Sequence, residues 1–201
     1  MGKIILIGAS GTIGRYVEER LRKRHEVLRA GRKGPDLAVD ISEPSSIEAM
    51  YREAGPVDAV VCIAGEARWA PLEKLSEEDY YVGIRSKLMG QVNLVRLGLD
   101  HLNPGGSFTL TTGILAEDPV PQTTSAAMVN GALHGFVKAA ALEMKRGHRI
   151  NAVAAGLVEP AAEKYADYFP GHNPVPMVRV VNGYVRSVEC RGNGEIIRVY
   201  W

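Results

Sequence analysis

The amino-acid sequence predicts a single α/β domain built on a doubly wound parallel sheet of about seven strands, with helices on both faces. Short apolar runs alternate with helical runs along the whole chain, which is typical of a parallel sheet covered on both sides. A glycine-rich turn joins the first apolar run to the first helical run. The 201 residues, 46% of them hydrophobic and 23% charged, suit one globular domain with a sizeable core.

The first half of the chain begins with a strand at Lys3–Ile7 and a helix that ends near Arg24. The basic cluster at residues 20–25 is interpreted as a solvated helix end, because cations suit the helix dipole there. Five further elements are predicted: a strand at residues 27–30, a short strand at 38–40, a helix with proline in its first turn at 44–54, a Val-rich strand at 58–64 and a short polar helix at 75–81.

Two long helices dominate the second half, where strands are also predicted at residues 107–112, 150–155 and 196–200. Residues 84–102 are apolar around most of the helix circumference, and residues 126–145 are rich in alanine. Such helices are buried on more than one side. We therefore expect the sheet to cover one side and a second subunit to cover the other, in a homodimer or homotetramer.

An irregular insertion is predicted at residues 159–176, which contain four prolines and several aromatic residues. Its Tyr165, Tyr168 and Phe169 are large aromatic side chains that are expected to pack against other groups. Two interpretations remain open at this point. The aromatic side chains form either a lid over an apolar or planar ligand or a patch packed on the domain surface.

The composition excludes several classes of function. The formal net charge is +1, so no overall field favours nucleic acid or a membrane surface. Cys62 and Cys190 give neither a disulfide framework nor zinc-ligand spacing, and Cys62 is expected to be a small buried residue. No apolar run is long enough to span a bilayer, and the first strand begins too early for a signal peptide. A cytoplasmic location is expected.

The glycine-rich turn is the clearest functional signal. In a Rossmann fold such a turn receives the pyrophosphate of a dinucleotide. Gly8 permits the tight turn, Gly11 lets the backbone approach a phosphate, and Gly14 lets the helix pack on the strand. The free amides and the dipole of the new helix then favour an anion. We predict that the cofactor is held here by Gly8, Ser10, Gly11, Thr12, Ile13 and Gly14.

Five motifs in one order resemble the short-chain dehydrogenase/reductase superfamily over essentially the whole chain. The glycine turn is the first, with a spacing nearer to the extended and atypical branches than to the standard one. Residues 58–65 resemble the strand that ends in Asn-Asn-Ala-Gly, and residues 105–113 resemble the strand that delivers the catalytic serine. Residues 131–143 resemble the helix after the catalytic lysine, and residues 149–156 the Ile-Arg-Val-Asn segment that ends in Pro-Gly. The resemblance implies one NAD(P)-binding Rossmann domain over residues 1–201.

The same resemblance implies departures at the catalytic positions. The family's Tyr-x-x-x-Lys falls on Ala126 and Asn130, and its serine falls on Gly113, next to Thr112. Its asparagine on the preceding long helix falls on Lys87. The chain thus resembles an atypical subgroup that lacks the Ser-Tyr-Lys residues. Hydride transfer remains geometrically possible, while proton transfer lacks its usual agent.

Four residues are candidates for the missing catalytic functions: Lys87, Thr112, Asn130 and His134. Asn130 can hydrogen-bond a ribose hydroxyl. Lys87 lies in an otherwise apolar stretch, and a desolvated lysine has a lowered pKa and can act as an acid. His134 is either a packed helix histidine or a proton donor. Thr123, Thr124 and Ser125 are either further candidates or helix N-caps, and the favoured interpretation is a cap at Ser125 or Thr124.

The residues after the second strand favour NADP(H) over NAD(H). No acidic residue is present there for the ribose hydroxyls, whereas Arg32 and Lys33 can neutralise a 2′-phosphate and Ser10 can hydrogen-bond it. The alternative is that two basic residues simply lie in a loop. By the resemblance, further cofactor contacts are expected from Asp40, Ala64, Gly65, Thr111, Asn130, Gly156 and Val158.

Two functions are weighed on this basis. The first is an NADP(H)-dependent oxidoreductase that acts on a small carbonyl or alcohol substrate through a non-standard proton donor. The second is a non-catalytic NADP(H)-binding protein with a sensing, regulatory or scaffold role. A nucleotide-sugar enzyme of the extended branch is a weaker third, because the Tyr-x-x-x-Lys pair is missing and the C-terminal part is short.

Overall fold

A computed structural model describes residues 1–201 and confirms the predicted sheet. The seven strands are β1 (Lys3–Ile7), β2 (Glu26–Gly31), β3 (Leu37–Ala38), β4 (Val57–Cys62), β5 (Leu102–Gly113), β6 (Arg149–Ala155) and β7 (Ile196–Val199). All neighbouring strands pair in parallel, in the order β3-β2-β1-β4-β5-β6-β7. The strand order reverses between β1 and β4, which is where ligands bind in sheets of this kind.

Helices cover both faces of the sheet. They are α1 (Gly14–Leu21), α2 (Pro44–Ala54), α3 (Glu77–Gly83), α4 (Gly90–Gly98), α5 (Thr124–Glu143), α6 (Ala162–Tyr165) and α7 (Met177–Glu189). Side chains of β1 alternate between two cores, with Ile4 and Leu6 packed among residues of α1 and α7. Ile5 and Ile7 pack among residues of α2, α4 and α5. This alternation follows from the period of two along a strand. None of the helices combines the length and apolar character that a bilayer crossing requires.

The predicted helix over residues 84–102 is interrupted. Ile84–Met89 form a π-helical segment, α4 follows, and Leu99–His101 form a 3-10 turn before β5 begins at Leu102. A continuous α-helix was therefore the wrong prediction for this stretch. Its apolar pattern reflects burial and does not reveal a change of hydrogen-bonding pattern. Single π turns of this kind are frequent at functional sites.

The prediction that Thr124 or Ser125 caps α5 is wrong. The helix begins at Thr124, and no side chain caps its first turn. Thr123, at the cap position, donates its hydroxyl proton to the Val120 carbonyl instead. The Thr124 hydroxyl lies 3.1 Å from the Tyr80 hydroxyl, and Ser125 Oγ is buried without a partner. None of the three hydroxyls accepts from a first-turn amide, so the helix starts without a side-chain cap.

Helix α7 has no counterpart among the sequence-based predictions. Its valines favour a strand, and its Asn182-Gly183 pair is typical of a turn. The helix nevertheless forms because Val180, Val181 and Tyr184 are buried against the sheet. The glycine at position 183 lets the helix pack closely on the sheet, since an added Cβ would lie only 3.2 Å from Val153.

Two hydroxyl pairs join α7 to β5 within this otherwise apolar interface. Thr109 Oγ1 lies 2.7 Å from Ser187 Oγ, and Thr111 Oγ1 lies 2.8 Å from Tyr184 Oη. All four residues are buried. Residues two apart on the strand thus meet residues three apart on the helix, and each buried hydroxyl has a partner.

Candidate functional site

Two adjoining cavities form a continuous cleft at the carboxyl ends of the strands. The first cavity, of about 750 Å³, lies over β1 and β2, and the second, of about 800 Å³, lies over β4, β5 and β6. Gly65 and Glu66, which follow β4, line both. The cleft therefore occupies the topological switch point of the sheet, where a two-part ligand fits across both halves.

The glycine turn forms the floor between the two cavities. Gly8 has a φ of +86°, and an added Cβ there would lie 2.9 Å from the Ile63 carbonyl oxygen. A Cβ on Gly14 would overlap the Gly8 carbonyl oxygen, so this glycine allows α1 to pack on the turn. The amides of Ser10, Thr12 and Ile13 form no hydrogen bond within the chain. Free amides before a helix are donors for an anion.

The first cavity gathers seven of the residues predicted to hold the cofactor: Gly8, Ser10, Arg32, Lys33, Asp40, Ala64 and Gly65. Arg32 forms a 2.8 Å salt bridge to Glu66, and both side chains are largely exposed. The Asp40 carboxylate accepts hydrogen bonds from the amide and hydroxyl of Ser42, which lower its pKa. The sequence analysis placed Asp40 at the end of the third strand. In the structure Asp40 follows β3 instead, because pairing with β2 stops at Ala38.

The second cavity brings together the positions at which the catalytic residues were sought. Ala126, Asn130, Thr112, Gly113 and Lys87 all line it. So do four further residues predicted to touch the cofactor, namely Ile13, Thr111, Gly156 and Val158. Gly11, Thr12 and Gly14 line neither cavity, and their predicted role in cofactor binding rests on the geometry of the turn.

Asn130 is buried, and its Oδ1 has no hydrogen-bond partner. A buried amide oxygen without a donor is uncommon in folded proteins and carries a free-energy cost. Because Asn130 lines the second cavity, a ligand hydroxyl in the cleft can supply the missing donor. This feature fits the sequence-based assignment of Asn130 to a ribose hydroxyl.

Lys87 lies within the π-helical segment and is half-buried, with no acidic side chain in salt-bridge range. Burial lowers its pKa because the charged ammonium loses hydration, while the nearby Cys62 has a weaker opposing effect. Cys62 itself is fully buried, as predicted, and burial raises the pKa of its thiol to about 11. The cleft therefore contains a cation without a counter-ion.

Thr112 and His134 are hydrogen-bonded to each other. Thr112 Oγ1 lies 2.9 Å from His134 Nε2, and both residues are buried. His134 does not line either cavity and reaches the cleft only through Thr112. Its Nδ1 lies 3.7 Å from Glu117 Oε1, and Arg198 donates to both carboxylate oxygens of Glu117 at 2.6–3.0 Å. Burial lowers the pKa of His134, and Glu117 opposes that effect.

Thr111 is less available than the sequence suggested. Its hydroxyl lies 2.8 Å from the Tyr184 hydroxyl and donates to the Cys62 carbonyl at 2.6 Å. Its amide donates to Gln91 Oε1, and its carbonyl accepts from Gln91 Nε2. The side chain therefore faces α7, and cofactor contact by Thr111 stays a prediction.

Aromatic side chains form one wall of the second cavity. Trp69 lies with its ring centroid 5.4–6.4 Å from the rings of Tyr165, Tyr168 and Phe169. Trp69, Tyr165 and Phe169 line the cavity directly. The segment at residues 159–176, called the lid below, thus packs on Trp69, and its role as a cover for a ligand stays a prediction. The sequence analysis missed Trp69, although its position shortly after a central strand was the signal for it.

Three comparisons with known proteins agree with this architecture. Residues 9–176 match the family described as enoyl-(acyl carrier protein) reductase. A hydroxynaphthalene reductase of Aspergillus fumigatus is 29% identical over 62% of this chain, and the alignment spans about half (47%) of that protein. A tetrahydroxynaphthalene reductase of Pestalotiopsis fici is 26% identical over 85% of this chain and 72% of its own length.

Solved structures resemble the whole chain. The Listeria innocua protein lin1944 is 50% identical, with a TM-score of 0.98 and complete coverage of both chains. A small-chain dehydrogenase crystallised with NADPH is 22% identical, with a TM-score of 0.86 over 98% of this chain and 95% of its own. At that identity the second likeness supports the fold alone.

Proposed function

Because the chain belongs to the short-chain dehydrogenase/reductase superfamily, we propose that it is an NADP(H)-dependent oxidoreductase for a small carbonyl or alcohol substrate. The proposal includes a proton donor other than the family's tyrosine, since Ala126 and Asn130 stand at the Tyr-x-x-x-Lys positions. One observation carries it, namely the continuous cleft that joins a polar cavity, whose lining includes Arg32 and Lys33, to a cavity lined mainly by apolar residues across the glycine turn.

The residues of the cleft fit a nicotinamide dinucleotide. The free amides of the glycine turn would bind its pyrophosphate, Arg32 and Lys33 would bind its 2′-phosphate, and Asp40 would contact its adenine. Asn130 Oδ1 offers an unpaired acceptor to a ribose hydroxyl. When bound, the nicotinamide supplies or accepts a hydride, and the chain orients it. The small-chain dehydrogenase of the same fold was crystallised with NADPH, so a fold of this kind accommodates that cofactor.

The substrate we propose is a flat, largely apolar carbonyl compound or the corresponding alcohol. Trp69, Tyr165 and Phe169 present aromatic surface to the second cavity, and the remaining wall is mostly aliphatic. Aromatic side chains stack on planar ligands with modest but specific energies. The names of the fungal relatives, which are reductases of hydroxynaphthalenes, are consistent with a bicyclic aromatic ketone.

A non-catalytic NADP(H)-binding role is the second candidate. The observation that favours it is Ala126, whose methyl group cannot donate a proton. A protein of this kind would bind the dinucleotide in the same cleft and show no turnover with any carbonyl compound.

We also propose that the chain self-associates through the π-helical segment, α4 and α5. Large apolar side chains on these elements and on the 3-10 turn that follows α4 are exposed, namely Met89, Leu99, Met128 and Leu142. Exposed large apolar groups are a feature of surfaces that take part in subunit interfaces. A monomeric mass by light scattering at micromolar concentration would exclude this arrangement.

The first experiment is a titration of the purified protein with NADPH and NADH, followed by nucleotide fluorescence. We expect Arg32→Ala to weaken NADPH binding about tenfold to a hundredfold, the range for losing a charge-assisted hydrogen bond, and to leave NADH binding unchanged. Arg52→Ala is the matched control, because Arg52 is also exposed and paired with a glutamate, Glu48, outside the cleft. Absence of binding by either nucleotide would exclude both candidate functions.

A further inference from the structure

We propose that Thr112, His134 and Glu117 form a relay that carries a proton between solvent and the reacting oxygen in the second cavity. The inference rests on the proposed function, because a proton is needed there only if a carbonyl compound is reduced or an alcohol is oxidised. It assigns to Thr112 and His134 the proton transfer for which Ala126 offers no group, and to Glu117 the stabilisation of the protonated imidazole.

The inner end of the relay is the Thr112 hydroxyl. Side chains alternate along β5, so Thr109 and Thr111 face α7 while Thr112 faces α5. Thr112 lines the second cavity beside Gly113 and Ala126. By the sequence resemblance, these two are the positions of the family's serine and tyrosine. A substrate oxygen placed there lies within reach of this hydroxyl, which can donate one hydrogen bond while it accepts another.

His134 continues the relay away from the cleft. It lies one helical turn beyond Asn130 on α5, and its Nε2 is 2.9 Å from Thr112 Oγ1. Its other ring nitrogen points to the opposite side, toward Glu117 Oε1 at 3.7 Å. A histidine with one nitrogen bonded inward and the other directed to a surface carboxylate is suited to pass a proton between them.

Glu117 is the outer end of the relay. It follows the 3-10 turn Ile114–Ala116 after β5, and its side chain is 36% exposed, so water reaches it. Arg198 of β7 donates three hydrogen bonds to its carboxylate, which fixes its position and lowers its pKa. Glu117 stabilises the protonated imidazole of His134, while burial, Arg198 and Lys138 oppose it.

The proton balance of a reduction is as follows. The substrate carbon takes a hydride from the cofactor, and its oxygen takes the Thr112 hydroxyl proton. Thr112 takes the Nε2 proton of His134, which has already gained a proton at Nδ1 from water beside Glu117. The imidazole ends neutral, and exchange with solvent restores its starting tautomer. Alcohol oxidation runs through the same groups in reverse.

The test follows NADPH oxidation in a single turnover with 2-tetralone, a bicyclic ketone with a fused benzene ring, across a range of pH. We expect Thr112→Val and His134→Gln to lower the rate constant about 100-fold, a usual value for losing proton transfer, and to leave NADPH affinity unchanged. Thr112→Ser retains the hydroxyl and should restore most of the rate. A Thr112→Val protein as fast as the wild type would overturn the relay.

Glu117→Gln gives a result that a purely structural role would not. Removing this carboxylate makes the protonated imidazole of His134 less stable, so the rate should fall about tenfold at neutral pH. The rate of the Glu117→Gln protein should also begin to decline at a lower pH than that of the wild type. Glu48→Gln is the control, because it also removes a carboxylate paired with an arginine. An unchanged profile in Glu117→Gln would exclude Glu117 from the relay.

A nitrogen-15 NMR titration of the histidines tests the relay independently of turnover. The pKa of His134 should fall in Glu117→Gln, and its Nε2 resonance should shift in Thr112→Val, whereas His101 should be unaffected. If neither change occurs, the relay is wrong even when NADPH binds and 2-tetralone is reduced. If both occur while NADPH does not bind, the proposed function fails and the hydrogen-bonded chain itself stands.

Discussion

Replacing Gly14 by alanine tests the link between the glycine turn and cofactor binding. The added Cβ would overlap the Gly8 carbonyl oxygen and lie 2.9 Å from Cα of Ala9. Carbon and oxygen atoms that are not bonded need about 3.5 Å, so α1 must move away from the turn. Both neighbouring groups are backbone atoms and cannot rotate aside.

The magnitude follows from two opposing effects. Alanine gains about 1 kcal/mol over glycine inside a helix, while an overpacked site loses about 1–3 kcal/mol or more. Because the clash involves backbone, we expect a net loss near the upper value, about 2 kcal/mol. For a domain of this size that corresponds to a drop in Tm of roughly 4–8 °C. The displaced amides should weaken NADPH binding at least about tenfold.

The assay combines thermal unfolding of the ligand-free protein with NADPH titration by fluorescence. Gly131→Ala is the control, because Gly131 is exposed on α5 and an added Cβ would meet nothing within 4 Å. That change should raise stability by about 0.5–1 kcal/mol and leave NADPH affinity unaltered. A Gly14→Ala protein with lowered Tm and unchanged affinity would refute the assignment of the turn to the cofactor. An unchanged Tm would refute the steric reasoning.

Three further predictions concern the cleft. Glu66→Gln should raise NADPH affinity several-fold and leave NADH affinity unchanged in fluorescence titrations, because Glu66 pairs with Arg32 and repels a phosphate. The pKa of Lys87 is lowered in the folded protein, so the unfolded chain binds more protons than the folded chain in this pH range. The free energy of unfolding of the wild type should therefore increase relative to that of Lys87→Met as the pH rises from neutral toward about 10, as measured by calorimetry. Trp69→Ala should speed proteolysis of the lid and raise KM for 2-tetralone, whereas the exposed Trp201→Ala should change neither.

The sheet was predictable because strands buried on both faces consist of continuous apolar residues, which can be recognised in the sequence. The continuous apolar runs before Gly8 and Gly65 gave β1 and β4 to within two residues at either end, and Pro44 gave the start of α2. Helix α7 was not predictable in this way. Its valines and its Asn182-Gly183 pair favour other local structures, and only the sheet beneath it makes the helix the better state.

Within the candidate site, motif position was more informative than residue chemistry. The cavity positions of Ala126, Asn130 and Thr112 follow from the order of motifs along the chain. The partnership between Thr112 and His134 does not, because it depends on which face of β5 meets α5. Glu117 and Trp69 were missed for a related reason. Each lies in a connecting segment whose path is fixed by tertiary contacts and not by a local pattern.

The hydroxyl pairs that join α7 to β5 bear on how the lid can move. An apolar helix can slide along an apolar sheet with little loss of contact, but a shift of one turn would separate Tyr184 from Thr111 and Ser187 from Thr109. Two buried hydroxyl pairs would then be broken at once, at about 1–3 kcal/mol for each group left unpaired. The start of α7 is therefore fixed on the sheet, at the point where the lid ends.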